Sequence, residues 1–192
     1  VPAIISYANL QKILFNLLKE GIPIRDMVTI LETAADLIPT AKDMDTVSEN
    51  IRIELKRTIT RKFAENGQIK VITLDSDVEK TLLSSLTRNE QGIYLAMNPN
   101  LMQKIIGQMA EILPKFADLS LQPVILTSHV IRIYVYRLMQ QFYPDVAVLS
   151  FSEITNNVQI QALGNIMMEW SPGGQTQVGE ENEHARAASA VE

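Results

Sequence analysis

The chain has 192 residues, a formal net charge of −5, 46% hydrophobic and 20% charged residues, and no cysteine. That balance builds a globular core, argues against a nucleic-acid surface, and excludes a disulfide framework or a cysteine metal site. No run of about 18 apolar residues is present to cross a bilayer as a helix.

No basic and then apolar leader opens the chain. It starts Val1-Pro2 and enters a helix almost at once, so it reads as a piece of a longer protein. Ser6 is placed to cap a helix over residues 7–20, in which Leu10, Ile13, Leu14, Leu17 and Leu18 make one apolar face. Gly21 is placed to end it in the left-handed conformation. Pro23 is expected to open a second helix running to Ile38, with Asp26 in its first turn. Two such amphipathic helices joined by a short turn are expected to fold back on each other.

A third helix is expected to start after Asp43 and run to about Glu65. Val47, Ile51, Leu55, Ile59 and Phe63 recur every fourth residue, and Arg52, Glu54, Lys56, Arg57, Arg61 and Lys62 form a solvated face. Asn66-Gly67 ends this helix, and the period then changes from helical to strand-like. The expected division is therefore a helical unit at 1–66, an α/β unit at 67–168 and a disordered tail at 169–192.

In the second unit QIKVITL (68–74) reads as a strand, and Ser76 with Glu79 as a capping box. Residues 87–97 read as a polar loop with a short extended piece at 93–97. Asn98-Pro99 starts a helix carrying Met102, Ile105, Ile106, Met109, Ile112 and Leu113. A strand at 124–126, a helix from Ser128 to about Phe142, a strand at 146–149 and an alternating, half-exposed strand at 158–165 complete it. The expected fold class is α+β: an all-α subdomain followed by a small α/β subdomain with a mainly parallel sheet.

Chemistry is sparse. The Gly173-Gly174 pair follows no strand and precedes no helix, so no phosphate-cradling loop is read there. His129 with Ser128 and Asp75 is the one constellation from which a small α/β hydrolase or phosphotransfer enzyme would be built, although adjacent residues rarely give triad geometry. Asp75, Asp77 and Glu79 read as acids at a helix N-terminus rather than as Mg²⁺ ligands. A helix-turn-helix reading of 10–36 fails on charge, because after Arg25 the second helix offers Asp26, Glu32 and Asp36 to a duplex. Arg25-Asp26 stands either as a surface pair or as a contact to another chain.

Four stretches carry a resemblance: LLKEGIPIRDMVTILETAAD (17–36), VITLD (71–75), PVILTSHVIR (123–132) and DVAVLSFSEI (145–154). In this order and spacing the sequence resembles the type III export-gate family (FHIPEP), nearest its flagellar branch, over about residues 1–166. The resemblance implies a non-enzymatic cytosolic part of an integral membrane protein at the cytoplasmic face of the bacterial inner membrane, with no catalytic, cofactor or metal residues. It implies a nine-membered homo-oligomeric ring, built through the helical unit. It also implies docking of the export ATPase's stalk protein on the α/β unit. Export substrates and chaperones would dock mainly on subdomains upstream of Val1. Within that frame the turn Gly21, Ile22, Pro23, Arg25 and Asp26 is the expected intersubunit or partner contact.

Overall fold

The computed structural model describes residues 5–90 and 92–169. Four helices come first: α1 (Tyr7–Lys19), α2 (Met27–Leu37), α3 (Met44–Glu54) and α4 (Lys56–Phe63). Then follow β1 (Gln68–Leu74), α5 (Ser76–Ser84), β2 (Leu86–Asn89), β3 (Gly92–Leu95) and α6 (Pro99–Asp118). The chain continues as β4 (Val124–Thr127), α7 (His129–Phe142), β5 (Ala147–Ser150) and β6 (Gln159–Ile166). This is the expected α+β order, a helical part and then an α/β part. The tail expected to be disordered lies, from Trp170 onward, outside the described residues.

Ser6 caps α1 by accepting a hydrogen bond from the Asn9 amide at 3.1 Å. At the other end Gly21 has φ +67°. Its amide donates to the Leu18 carbonyl and that of Ile22 to the Leu17 carbonyl, both at 2.9 Å. This pair of bonds satisfies the last carbonyls of the helix, and Ile22 turns inward to be buried.

Three expectations about the helices are corrected. Pro23 does not open α2; it lies in an irregular link, and Asp26 is the cap, accepting from the Thr29 amide at 3.2 Å. A carboxylate that satisfies an orphan amide outweighs the preset φ of a proline three residues earlier. Given that longer link, α1 and α2 hardly touch, and each packs instead on α3. The third helix is two helices, broken at Leu55 (φ −80°, ψ 12°). Residues recurring every fourth position drift by about 40° per step on a helix of 3.6 residues per turn. A break re-aims α4, so that Leu55 and Ile59 remain buried beside Val47 and Ile51.

At 65–68 Glu65 and Gln68 exchange backbone hydrogen bonds of 2.8 and 2.9 Å around Asn66 and Gly67, both at positive φ. This tight reversal feeds β1. The sheet has the order β5-β4-β1-β6 with every neighbouring pair parallel. One face presents Ile69, Val71, Val124, Leu126 and Leu149 to the core shared with the helical part. The other presents Ile72, Ile125 and Val148 to a core built with α5, α6 and α7. Burial on both faces explains why β4 is an unbroken apolar run ending in a fully buried threonine.

Further differences are local. Asp75, not Ser76, is the N-cap of α5, with no side-chain cap bond. Glu79 is drawn away to the end of β4, where it accepts from the Thr127 hydroxyl at 2.5 Å and the Ser128 amide at 2.9 Å. The stretch read as a polar loop contains the β2–β3 hairpin; Leu86, Leu95 and Met97 pack on the core and hold it down. β6 is an edge strand whose first half, 159–162, is exposed on both faces rather than alternating.

Replacing Gly21 by valine places a β-branched residue at positive φ and brings its Cβ to 2.6 Å from the Lys62 ammonium. We expect a loss of at least about 1–2 kcal/mol in denaturant melts. A neutral result would mean that the turn relaxes to an ordinary conformation.

Candidate functional site

Beneath the 21–26 turn lies a cluster of five charged side chains that periodicity did not single out. Arg132 of α7 and Arg52 of α3 are fully buried. Arg132 donates through Nε to Glu49 Oε2 at 2.6 Å and through Nη2 to Glu49 Oε1, making a two-pronged pair. Its Nη1 reaches Glu20 Oε2 at 2.7 Å and the Val148 carbonyl at 3.1 Å. Arg52 forms the matching fork on Glu153, Nε to Oε1 at 2.6 Å and Nη2 to Oε2 at 3.2 Å. Its Nη1 donates to Glu20 Oε2 at 3.0 Å, so Glu20 bridges both guanidiniums.

These residues come from the C-terminal cap of α1, from α3 and α7, and from the 3-10 turn after β5, at Phe151–Glu153. A paired planar fork is the arrangement that best offsets the cost of dehydrating a guanidinium. Burial pushes the Arg132 guanidinium down, but Glu49, Glu20 and Glu153 outweigh it and hold its pKa above the ordinary value. Three carboxylates face two guanidiniums, so one negative charge lacks a counterpart. Burial raises the Glu49 pKa more than Arg132 and Arg52 lower it.

The cluster draws on three of the four resembling stretches. Glu20 belongs to LLKEGIPIRD, Arg132 to PVILTSHVIR and Glu153 to DVAVLSFSEI, and the structure brings the three together. Arg52, expected on a solvated face, is a correction: it belongs to the buried stripe of α3 with Val47, Ser48 and Ile51. The signal was present in α7, where Arg132 sits in register with the stripe Ile131, Val135, Tyr136 and Met139. A charge inside an apolar stripe calls for a buried partner.

The cluster anchors the expected contact turn. Glu20 is held below, Ile22 is buried, and the Gly21 carbonyl accepts from Lys62 Nζ at 2.7 Å. Pro23 is half-buried, while Gly21, Arg25 and Asp26 are exposed. The Asp26 carboxylate is occupied by the amide and hydroxyl of Thr29. Arg25 has no internal hydrogen-bond partner among the described residues. Next to this turn α1 shows an apolar stripe to solvent: Tyr7 is 72% exposed, Phe15 63% and Leu18 54%. At 100° per residue these three fall within an arc of about 80°, beside the buried face of Ile13 and Leu17.

The alternative constellation is not assembled. No hydrogen bond joins Asp75, Ser128 and His129 among the described residues; the Ser128 amide serves Glu79, and His129 is exposed at the start of α7. Asp77 pairs with Lys80 at 3.2 Å. Among the described residues no group of three or more His, Asp or Glu is arranged around a metal position.

A helical cap held on a parallel sheet by buried ion pairs, with an apolar stripe of α1 and Arg25 exposed beside it, makes this an α+β module. Residues 1–159 match the FHIPEP family, and the chain belongs to that family. It is 35% identical over 164 residues to the flagellar biosynthesis protein FlhA of Bacillus subtilis, covering 85% of this chain and 24% of that protein. The chain thus spans about a quarter of the length of the curated relatives it matches. Among solved structures, the Chlamydia pneumoniae CdsV protein is similar at 33% identity and TM-score 0.78, over 86% of this chain and 48% of that one. Nonameric EPEC SctV-C is similar at 32% identity and TM-score 0.77, over 86% and 50%. The CdsV and CdsO complex is similar at 31% identity and TM-score 0.74, over 85% and 48%.

Removing one member of the cluster leaves its partners buried and unpaired. Arg132→Ala is expected to cost about 3–5 kcal/mol in urea melts. Replacing Arg52 and Glu153 together by methionine and leucine should cost less than Arg52→Met alone. Equal losses would show that packing, not charge pairing, holds this contact.

Proposed function

We propose that this chain is a non-enzymatic part of the flagellar type III protein export gate, lying at the cytoplasmic face of the bacterial inner membrane. There it forms ring contacts and docks export components. In this reading residues 1–66 act as the unit that meets neighbouring gate subunits, and 67–168 as the unit that meets soluble export proteins. The observation that carries it is the unpartnered α1 stripe of Tyr7, Phe15 and Leu18 beside the rigid turn that displays Arg25. That surface belongs to a chain similar over most of its length to a protein solved as a nonamer. A ring of this kind joins two different surfaces of each subunit, and a patch apolar at its centre and charged at its edge suits one of them.

Docking on the α/β unit has a matching feature. Ile93, Tyr94, Leu95, Met97, Met102 and Tyr134 line an open groove of about 360 Å³ between the β2–β3 hairpin, α6 and α7. Two methionines give it an adaptable apolar floor, suited to the side of a helix. The similarity to CdsV, solved in complex with CdsO, supports docking of a soluble export component such as the export ATPase's stalk protein. Substrates and chaperones are assigned mainly to other segments of the full-length protein.

Ring contacts taken alone are weak in this reading. The fragment is expected to be monomeric at micromolar concentration, and rings are expected only where copies are tethered and effective concentration approaches millimolar. In the full-length protein, Arg25→Glu and Phe15→Glu should each reduce motility or secretion, while the melting curve of the fragment moves by less than about 0.5 kcal/mol. Unfolding of the fragment by Arg25→Glu would overturn the assignment of this turn.

A further inference from the structure

One side of the edge strand β5 pairs with β4, and the other faces a cavity of about 220 Å³ between the helical cap and α7. The Ala147 amide donates to the Pro123 carbonyl at 2.9 Å, so Ala147 and Leu149 bond inward to β4. Val146 and Val148 therefore turn their amides and carbonyls outward. Most groups along this edge are engaged. The Pro144 carbonyl accepts from Gln140 at 3.1 Å, and the Val146 amide donates to the Tyr143 carbonyl at 3.0 Å. The Val148 carbonyl accepts from both buried arginines, and the Ser150 amide donates to Glu153 at 3.0 Å. Between these, the Val146 carbonyl and the Val148 amide have no hydrogen bond among the described residues. They are the two groups to which one residue of an added parallel strand would bond, and both valines line the cavity. Tyr136 of α7 lines it too, 6% exposed, and its hydroxyl has no hydrogen-bond partner among the described residues. A buried polar group left unpaired is costly. Lys19 and Lys62 complete the wall; Lys62 donates to the Gly21 carbonyl, and neither lysine has a carboxylate partner among the described residues. Of the acids beside them, Glu20 is shared by the two arginines and Asp145 is exposed.

We infer that this cavity binds the C-terminal residue of an extended polypeptide. The residue's amide donates to the Val146 carbonyl. Its carboxylate accepts from the Val148 amide and the Tyr136 hydroxyl, with Lys19 and Lys62 supplying the counter-charge. A chain end is required because the ladder is blocked. A strand continuing past Val148 would need the Val148 carbonyl and the Ser150 amide, and both are engaged. An internal acidic residue would carry its main chain on into those groups, whereas a C-terminal carboxylate needs no further partner. The free groups match that ligand: one acceptor for one amide, and donors with cations for an anion. In-register parallel residues share a face. The last side chain therefore lies with Ala147 on the face of the helical core, where Ile22 and Phe63 also pack, so an apolar last residue is preferred. The inference does not need the export reading.

The test titrates the chain with fluorescein-labelled Gly-Ser-Ala-Leu carrying a free carboxylate, followed by anisotropy and by the backbone amide NMR spectrum. That peptide is expected to bind about tenfold more tightly than its C-terminal amide, the effect of one hydrogen bond to a charged group, and to shift the Val148 amide signal. Tyr136→Phe is expected to weaken binding about tenfold. It should leave the melting temperature unchanged or higher, because the hydroxyl it removes has no partner in the free chain. Lys62→Gln is expected to weaken binding about two- to fivefold and to flatten its dependence on salt. Should Tyr136→Phe fail to fold, Lys62→Gln and the Val148 signal carry the test. No binding at millimolar peptide, equal binding of the amide, unchanged affinity in these variants or an unmoved Val148 signal would each overturn the proposal. Equal binding of amidated Gly-Asp-Ala-Leu, whose one carboxylate is an internal side chain, would assign the cavity to acidic side chains and overturn the chain-end assignment. Displacement by acetate as readily as by unlabelled peptide would reduce it to an anion pocket and overturn it as well.

Discussion

The contact on which the rest of this structure depends is the meeting of Arg52 and Arg132 with Glu20, Glu49 and Glu153. Dehydrating five charges is costly, and a misplaced partner leaves an unpaired buried ion. The helical part therefore cannot slide on the sheet as it would on an apolar face alone. Each guanidinium has a planar fork, and each fork takes one carboxylate two-pronged. Both arginines also reach the Val148 carbonyl on the edge strand β5, at 3.1 and 3.4 Å. The edge of the sheet thus receives side-chain donors where a further strand would otherwise pair.

This lock gives the surface above it its character. Loops are usually the mobile part of a fold, but the 21–26 turn is tied on three sides, by Glu20, by buried Ile22 and by the Lys62 bond to the Gly21 carbonyl. The apolar stripe of α1 leads into it and is uncovered. A helix that buries Ile13 and Leu17 while leaving Phe15 and Leu18 in water carries more apolar surface than this fold uses. An arginine displayed on a stiff loop beside such a stripe loses little freedom on binding, and that economy favours recognition.

The α/β part obeys a simpler rule. A parallel strand needs cover on both faces. Here α5, α6 and α7 cover one face and the four-helix cap covers the other, so the caps of both layers meet at β1, β4 and β5. Glu79 ties α5 to the end of β4, its carboxylate committed to the Thr127 hydroxyl and the Ser128 amide. β6 is covered over its second half by α6, while its first half is exposed.

Much of this was legible in the chain itself. The helical stripes, the Ser6 and Asn98 caps, the left-handed Gly21, the helix end at Asn66-Gly67 and the strands at 68–74 and 124–126 all rest on interactions within a few residues. Local spacing determines such features wherever the segment ends up. The family was legible too, from four stretches in order and spacing, three of which hold Glu20, Arg132 and Glu153. What those charges do was not. The forks join residues 83 and 101 positions apart in the chain, and nothing in the spacing of either partner specifies the other. The break at Leu55, the parting of α1 from α2 and the burial of Arg52 likewise follow from where the sheet lies beneath the cap. Only the tertiary structure decided them, because the dehydration of a charge depends on what the rest of the chain places around it.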